Sequence, residues 1–155
     1  MLFKDFELKE GNYFIAMEYY FGILNRAFII ILKDRFLLGL KANGVIGTGL
    51  AGDLNDPFTY TNDYYVKKFL DEDIYADSIL SVNKANFKIS KTDIVDVKYD
   101  PTKKWGMGPY PHDGKIYIKT NDGKNREFVI LGNQSGKEIK NWILETKTNH
   151  NEETA

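Results

Sequence analysis

The hydrophobic and polar positions of the chain are spaced mostly as they are in β-strands. Apolar and polar side chains alternate through Lys115–Thr120, which directs the apolar ones to one face of a strand. Asn121–Lys124 follows with Asn, Asp and Gly, the residues that accept the backbone angles of a tight turn. Arg126–Leu131 then returns as a second, largely apolar strand. The pattern therefore predicts a β-hairpin.

A helix is predicted directly after this hairpin. Ser135 and Glu138 stand at the spacing of a capping box, in which each side chain accepts a hydrogen bond from a free amide at the start of a helix. Ile139, Trp142 and Ile143 then fall on one side of a helix near 135–148. We expect this apolar side to pack against the sheet.

Short apolar runs occupy much of the remaining chain at strand spacing. Further strands are predicted at 13–21, 27–32, 36–41, 86–90 and 95–99. The run at 27–32 is apolar without alternation, which is typical of a strand buried on both faces. Residues 22–26 are expected to connect the first two strands. One short strand after another predicts a mainly β protein with an antiparallel sheet or barrel.

The middle of the chain departs from this spacing. Residues 45–60 are rich in Gly and then polar, which predicts a loop. Asn62 is a good helix cap, so a short helix is expected near 62–71. Residues 74–82 fit either a further helical turn or a strand.

Three other segments are expected to be irregular. Residues 101–113 contain five Pro and Gly residues, a density that excludes regular elements. Residues 1–11 are polar and are expected to attach loosely. Residues 149–155 form a polar tail that is expected to be disordered.

The composition limits the class of protein. The 155 residues suffice for a single domain with a core, which we place at residues 1–148. The 21 basic and 22 acidic residues nearly balance, so there is no overall attraction to nucleic acid or to an anionic surface. Cysteine is absent, which excludes disulfides and thiolate metal sites. Neither a signal peptide nor a run of about 20 apolar residues is visible. We expect a cytoplasmic protein without a transmembrane segment.

Several stretches resemble a known family. Phe28–Leu38 joins two apolar strands through the polar turn Lys33-Asp34-Arg35, and Lys88–Val97 contains the run I-S-K-T-D-I-V-D-V. These resemble the early strand pair and the central I-P-x-S/T-D-I-x-x-V strand of bacterial pleckstrin-homology-like (PH/GRAM-like) domains. The hairpin and helix at 113–142 are similar to the closing unit of that family.

This resemblance implies a strongly bent antiparallel barrel of about seven strands, with the last helix closing one open end. Such domains usually act as binding or assembly modules, and the scaffold itself implies no catalysis. Two features depart from the family. Residues 45–84 form an atypical insertion, and the loop at 101–113 is large. The eukaryotic phosphoinositide pattern, several Lys and Arg within the first strand pair, is not evident.

Three motifs invite catalytic or ligand-binding interpretations. Gly47–Gly52 matches G-x-G-x-x-G, but Asp53–Pro57 is a poor start for the helix that a dinucleotide site needs. The acidic residues of that segment do not follow the calcium-loop pattern either. His112 beside Asp113 lacks an accompanying nucleophile, and one histidine without thiols cannot form a zinc site. We therefore predict no enzyme activity, no metal and no cofactor.

The loop before the hairpin is the best candidate for a binding site. The candidate residues are Lys103, Lys104, Trp105, Met107, Tyr110 and His112. Basic and aromatic side chains on a loop rich in Gly and Pro suit a protein partner or a membrane interface. In the alternative interpretation, Trp105 and Tyr110 fold back over one end of the barrel and the lysines are solvated.

The sequence thus predicts a non-catalytic binding or assembly module. The expected partner is a protein or peptide, with self-association into a homo-oligomer as one form of it. The alternative function is binding of a small ligand or peripheral attachment to an anionic membrane through the 103–112 loop, and nucleic acid is an unfavourable partner because the net charge is near zero.

Overall fold

A computed structural model describes residues 1–46, 50, 52–108 and 110–153, and the side chains of these residues as far as 145. The strands are β1 (Tyr13–Phe21), β2 (Leu24–Leu32), β3 (Phe36–Asn43), β4 (Phe87–Ser90), β5 (Ile94–Asp100), β6 (His112–Thr120) and β7 (Asn125–Leu131), and the α-helices are α1 (Asp63–Val66) and α2 (Gly136–Glu153). Short 3-10 helices span Phe3–Asp5, Pro57–Tyr60, Asp77–Ser81 and Lys91–Asp93.

The seven strands form one antiparallel sheet in the order β4-β3-β2-β1-β7-β6-β5. The prediction of a mainly β fold with about seven strands and a carboxy-terminal helix is confirmed. Most strand bounds fall within two residues of their predicted places. The largest differences are at the starts of two strands. β2 begins at Leu24, so the connection predicted at 22–26 shrinks to the turn Gly22-Ile23. β6 begins at His112, so the end of the segment 101–113, predicted to be irregular, belongs to a strand.

The predicted closure of the sheet into a barrel is wrong, because the sheet remains open between its two edge strands. β4 and β5 are the two edges of the sheet, and no ladder pairing joins them in the described part of the chain. β4 has only four residues and passes into β5 through the single helical turn Lys91–Asp93. Phe87 and Ile89 of β4 pack in the same hydrophobic cluster as Val97 of β5.

Both faces of the sheet are covered. On one face, Phe14, Phe28 and Phe128 belong to a core that α2 completes. On the other face, buried residues of β1–β3 pack against side chains from the segment predicted as an insertion at 45–84, including Tyr60 and Phe69. This double cover explains why β2 is apolar without alternation, as the sequence predicted.

Helix α2 begins as expected but runs further. The Glu138 amide donates to Ser135 Oγ at 3.2 Å, and the Gly136 amide donates to Asp113 Oδ2 at 2.8 Å. Ile139 and Ile143 are fully buried against the sheet, whereas Trp142 is only half-buried. The helix continues to Glu153, so the segment predicted as a disordered tail at 149–155 is helical as far as the structure describes it.

The first residues are attached more firmly than their polarity predicts. Phe3 is buried and packs edge-on against Phe69, with ring centroids 4.8 Å apart. The Phe3 amide donates to the carbonyl of Glu72 at 2.9 Å. α1 spans one turn, shorter than the helix predicted near 62–71, with Asn62 as its predicted cap.

Lys91 gives the fold a measurable pH dependence. Its side chain is fully buried, and burial lowers its pKa to about 8, while nearby Asp34 acts in the opposite direction. Between pH 8 and the ordinary value of 10.5, the unfolded chain binds a proton that the folded chain has released, so stability rises with pH. We expect a gain of about 1 kcal/mol in unfolding free energy between pH 8 and 9, measured in urea. Lys91→Met should flatten this profile, and a flat wild-type profile would contradict the prediction.

Candidate binding site

The β1–β2 hairpin ends in an exposed apolar tip. Gly22 has φ of +60° at the first position of the two-residue turn, a conformation that favours Gly. Phe21 and Ile23, which flank it, are 76% and 87% exposed. These two neighbouring side chains form an exposed apolar patch at the turn, and such patches can be interaction sites.

The loop between β5 and β6 lies beside this tip and is anchored at several points. Lys104 Nζ pairs with Glu127 Oε1 at 2.5 Å, and Lys103 Nζ donates to the carbonyl of His112. Met107 is buried and accepts a hydrogen bond from the Tyr19 hydroxyl at 3.5 Å. The loop is therefore held at its lysines and at its methionine.

The His112 side chain holds the loop through hydrogen bonds to its backbone. It is buried, its Nε2 accepts from the Lys104 amide at 2.9 Å, and its Nδ1 lies 3.1 Å from the carbonyl of Tyr110. Since Nε2 accepts, the proton resides on Nδ1, which donates to Tyr110. Burial lowers the pKa of His112, and Lys103 and Lys115 lower it further, against the carbonyl of Tyr110 and Asp113, which raise it. The neutral imidazole thus holds the loop in place.

A cleft of about 380 Å³, which we call the Trp105 cleft, opens between the hairpin tip and this loop. Its floor includes the buried residues Met17, Met107 and Leu131. Its rim carries Ile23 from the hairpin and Trp105 from the loop, and Trp105 is 94% exposed. A mostly apolar concavity with an exposed indole on its rim can accept an apolar side chain.

The six residues predicted from sequence divide into three groups here. Trp105 alone points fully outward. Lys104, Met107 and Tyr110 line the cleft, and Tyr110 also packs against the ring of Tyr60 with centroids 6.1 Å apart. Lys103 and His112 hold the backbone of the loop. The interpretation that the aromatic side chains fold back thus describes Tyr110 and not Trp105.

On the opposite face of the hairpin, three charged residues form a cluster. Glu18 is buried, and its Oε1 accepts from Nη2 of both Arg26 and Arg126 at 2.9 Å. Its Oε2 accepts from Nε of Arg126 at 2.8 Å. The Arg126 guanidinium also lies 3.7 Å from the centroid of the Phe87 ring. One carboxylate therefore orients two guanidinium groups.

This cluster forms one wall of an open groove with an excess of positive charge, which we call the basic groove. Its lining contains four cations, Arg26, Lys84, Lys124 and Arg126, and one carboxylate, Glu18. Lys41 lies near it, and its pKa is lowered by burial and by the repulsion of Arg26, Lys68 and Lys84. The groove therefore favours an anionic ligand.

Sequence reasoning missed both the hairpin tip and the basic groove. The apolar residues around Gly22 could have indicated the exposed hairpin tip, because the turn of a hairpin in water is normally polar. The groove had no comparable signal, since its cations come from β2, β7 and two connections that lie far apart in the chain.

Protonation of His112 provides a test of the loop anchor. Between its lowered pKa and the ordinary 6.5, the unfolded chain binds a proton that the folded chain does not, so stability falls as pH falls below 6.5. Protonated Nε2 also loses its bond from Lys104. In a His150→Gln/Trp142→Phe background, His112 is the only histidine and Trp105 the only tryptophan. We expect the unfolding free energy to fall below pH 6.5, and Trp105 fluorescence to change at the lower pH where folded His112 is protonated. The further substitution His112→Gln should abolish both effects.

Within the described residues, no group of His, Asp and Glu side chains has the arrangement of a metal site. No helix there has the length and apolar character needed to cross a bilayer.

Comparisons with known proteins add little. No protein-family model matches the chain, and no curated protein matches it. Among solved structures, the chain is similar to the C-terminal domain of an unknown protein from Leishmania infantum, with 11% identity and a TM-score of 0.41 over 84% of this chain and 80% of that one. A likeness at this level carries no argument about function.

Proposed function

We propose that this chain is a non-catalytic binding module with a PH-like scaffold, and that its binding surface is the Trp105 cleft. A protein or peptide partner would place an apolar side chain between Ile23 and Trp105. The observation that carries this proposal is the 94% exposure of Trp105 on the rim of an apolar cleft.

The scaffold part of the proposal is supported by the seven antiparallel strands followed by α2, which packs Ile139 and Ile143 against the sheet. It is also supported by the sequence resemblance around the turn after β2 and along β4 and β5. A scaffold of this kind implies binding and no particular ligand.

The energetic argument concerns Trp105 and Ile23. Exposed Trp is uncommon on monomers, and Trp is among the residues that contribute most to binding when a partner covers them. Each side chain is almost entirely in water in the free protein. Covering them removes apolar area from water at about 25 cal/mol per Å², so a partner gains by seating here.

Photocrosslinking tests the proposal. We would introduce the photoreactive residue benzoylphenylalanine at Ile23 in cells, and at Tyr75, which is 51% exposed and outside the cleft, as the matched control. We expect protein adducts at position 23 that are absent at position 75 and that are lost when Trp105→Ala is added. Adducts of equal yield at both positions, or none at position 23, would refute a protein partner at the cleft.

A second candidate is attachment to an anionic membrane, favoured by the exposure of Phe21, Ile23 and Trp105 around one end of the sheet. Sedimentation with phosphatidylserine vesicles at low and high salt tests it, since binding through lysines weakens with salt. Cosedimentation that Ile23→Ser and Trp105→Ala both abolish would support it.

Self-association is the third form of this function, because β4 is a short sheet edge and the cleft could receive a second copy. Light scattering across a concentration series measures it. A monomer at all concentrations would remove this form and leave the other two.

A further inference from the structure

β1 separates the two surfaces described above. Side chains alternate along a strand, so Met17 and Tyr19 line the cleft, while Glu18 and Tyr20 line the basic groove. Tyr19 also contributes to the groove, and it is the residue that the two linings share. The cleft and the groove therefore adjoin across the hairpin.

The positive charge of the groove is incompletely neutralised. Glu18 is paired with both arginines, whereas neither Lys84 nor Lys124 forms an ion pair with a carboxylate of the described residues. The Asp122 carboxylate attracts Lys124 from a greater distance, so three positive charges remain against it in the lining. Both lysines are exposed. A further cation, Lys41, is repelled by Arg26 and Lys84, which line the groove. A bound anion would relieve this repulsion.

The two guanidinium groups are held in place by Glu18 and by aromatic rings. Their hydrogen bonds to Glu18 use Nε and Nη2 of Arg26 and Arg126, and no hydrogen bond within the described residues uses Nη1 of either. Arg126 is stacked on Phe87, and the Arg26 guanidinium lies 4.5 Å from the centroid of the Tyr20 ring. Fixed guanidinium forks bind carboxylates with little further ordering.

We infer that the partner is a peptide segment that carries acidic residues beside an apolar anchor. The anchor occupies the Trp105 cleft, and the acidic side chains cross the hairpin at Tyr19 and Tyr20 to reach the basic groove. This inference rests on the proposed function for the anchor. It adds the charge of the partner, which the cleft alone does not specify.

A flexible peptide fits this arrangement better than a flat surface does. The guanidinium-bearing side chains are recessed, at 22% and 23% exposure, and they lie on the other face of the hairpin from the cleft. An extended segment of about twelve residues reaches about 40 Å and can follow the turn between the two surfaces.

Peptide selection tests the inference. The probe is a library of random peptides of about twelve residues displayed on phage and selected against the full chain. We expect the selected peptides to share an apolar anchor and an excess of Asp and Glu. A consensus peptide should bind the double variant Lys84→Ser/Lys124→Ser about tenfold more weakly, because two exposed ion pairs are lost.

A matched control keeps the loss of charge equal. Lys98→Ser/Lys119→Ser removes two exposed lysines from β5 and β6, outside both surfaces, and should leave the affinity unchanged. Ile23→Ser should abolish binding of the same peptide. Circular dichroism would verify that each variant folds.

The outcomes separate the inference from the proposed function. Peptides with an apolar anchor and no acidic excess would overturn the inference and leave the cleft intact. Acidic peptides that bind Ile23→Ser with the same affinity as the wild type would show that one peptide does not use both the cleft and the groove. Selection of no peptide, with binding to phosphatidylserine vesicles instead, would overturn both.

Discussion

Gly114→Ala is expected to destabilise the protein by about 4 kcal/mol. Gly114 has φ of +61°, and a Cβ atom there would lie 2.1 Å from the carbonyl oxygen of Asp100 and 2.8 Å from Cα of Pro101. Left-handed backbone at a residue other than Gly and overpacking each cost about 1–3 kcal/mol. The obstacle is the backbone of Asp100 and Pro101, so no side-chain rotation relieves it. Urea unfolding monitored by circular dichroism measures the loss.

Gly123→Ala is the matched control. Gly123 also has a positive φ, +88°, but nothing lies within 4 Å of the position of its Cβ. This variant therefore loses only the free energy needed to place alanine in a left-handed backbone conformation, about 1 kcal/mol. Equal losses in the two variants would mean that the close approach of β6 to the end of β5 is wrong.

The Gly114 result also bears on the binding site. Asp100 and Pro101 begin the loop that carries Trp105, and Gly114 lies two residues beyond His112, which anchors the end of that loop. A change that separates β5 from β6 at this point should therefore displace the cleft as well as lower stability. Weaker binding of the consensus peptide by Gly114→Ala, and not by Gly123→Ala, is the expected result.

Glu18→Gln is expected to cost about 3 kcal/mol. The substitution keeps the shape of the side chain but removes the carboxylate that pairs with both Arg26 and Arg126. Removing one partner of a buried ion pair costs about 3–5 kcal/mol, and we take the lower end because the two arginine side chains are 22% and 23% exposed. Chemical denaturation of both proteins measures the difference.

A double variant measures how much of this loss comes from the pair with Arg126. Since either single change already breaks that pair, Glu18→Gln/Arg126→Gln should be less destabilised than the sum of its single variants. Asp71→Asn, which breaks an exposed pair with Lys4, is the control and should change little. Additive losses would show that Glu18 and Arg126 do not stabilise one another.

The candidate site was predictable in part. Trp105, Met107 and Tyr110 were found because aromatic and sulfur-containing side chains on a loop of Pro and Gly are uncommon. Their separate roles could not be read from the sequence, because the buried position of Met107 depends on Tyr19, which is distant in the chain. The role of His112 as an anchor likewise depends on a turn of the loop back to Lys104.

What the sequence determined by itself is the set of strands and the closing helix. Alternation indicated β6, the apolar run after the turn indicated β7, and the unbroken apolar run marked β2 as buried on both faces. Ser135 indicated the start of α2. These signals act between near neighbours in the chain. The tertiary structure decided the rest. The sheet stays open between β4 and β5, the segment at 45–84 covers the second face, and Arg26 and Arg126 meet at Glu18, since each of these depends on contacts between residues that are remote in sequence.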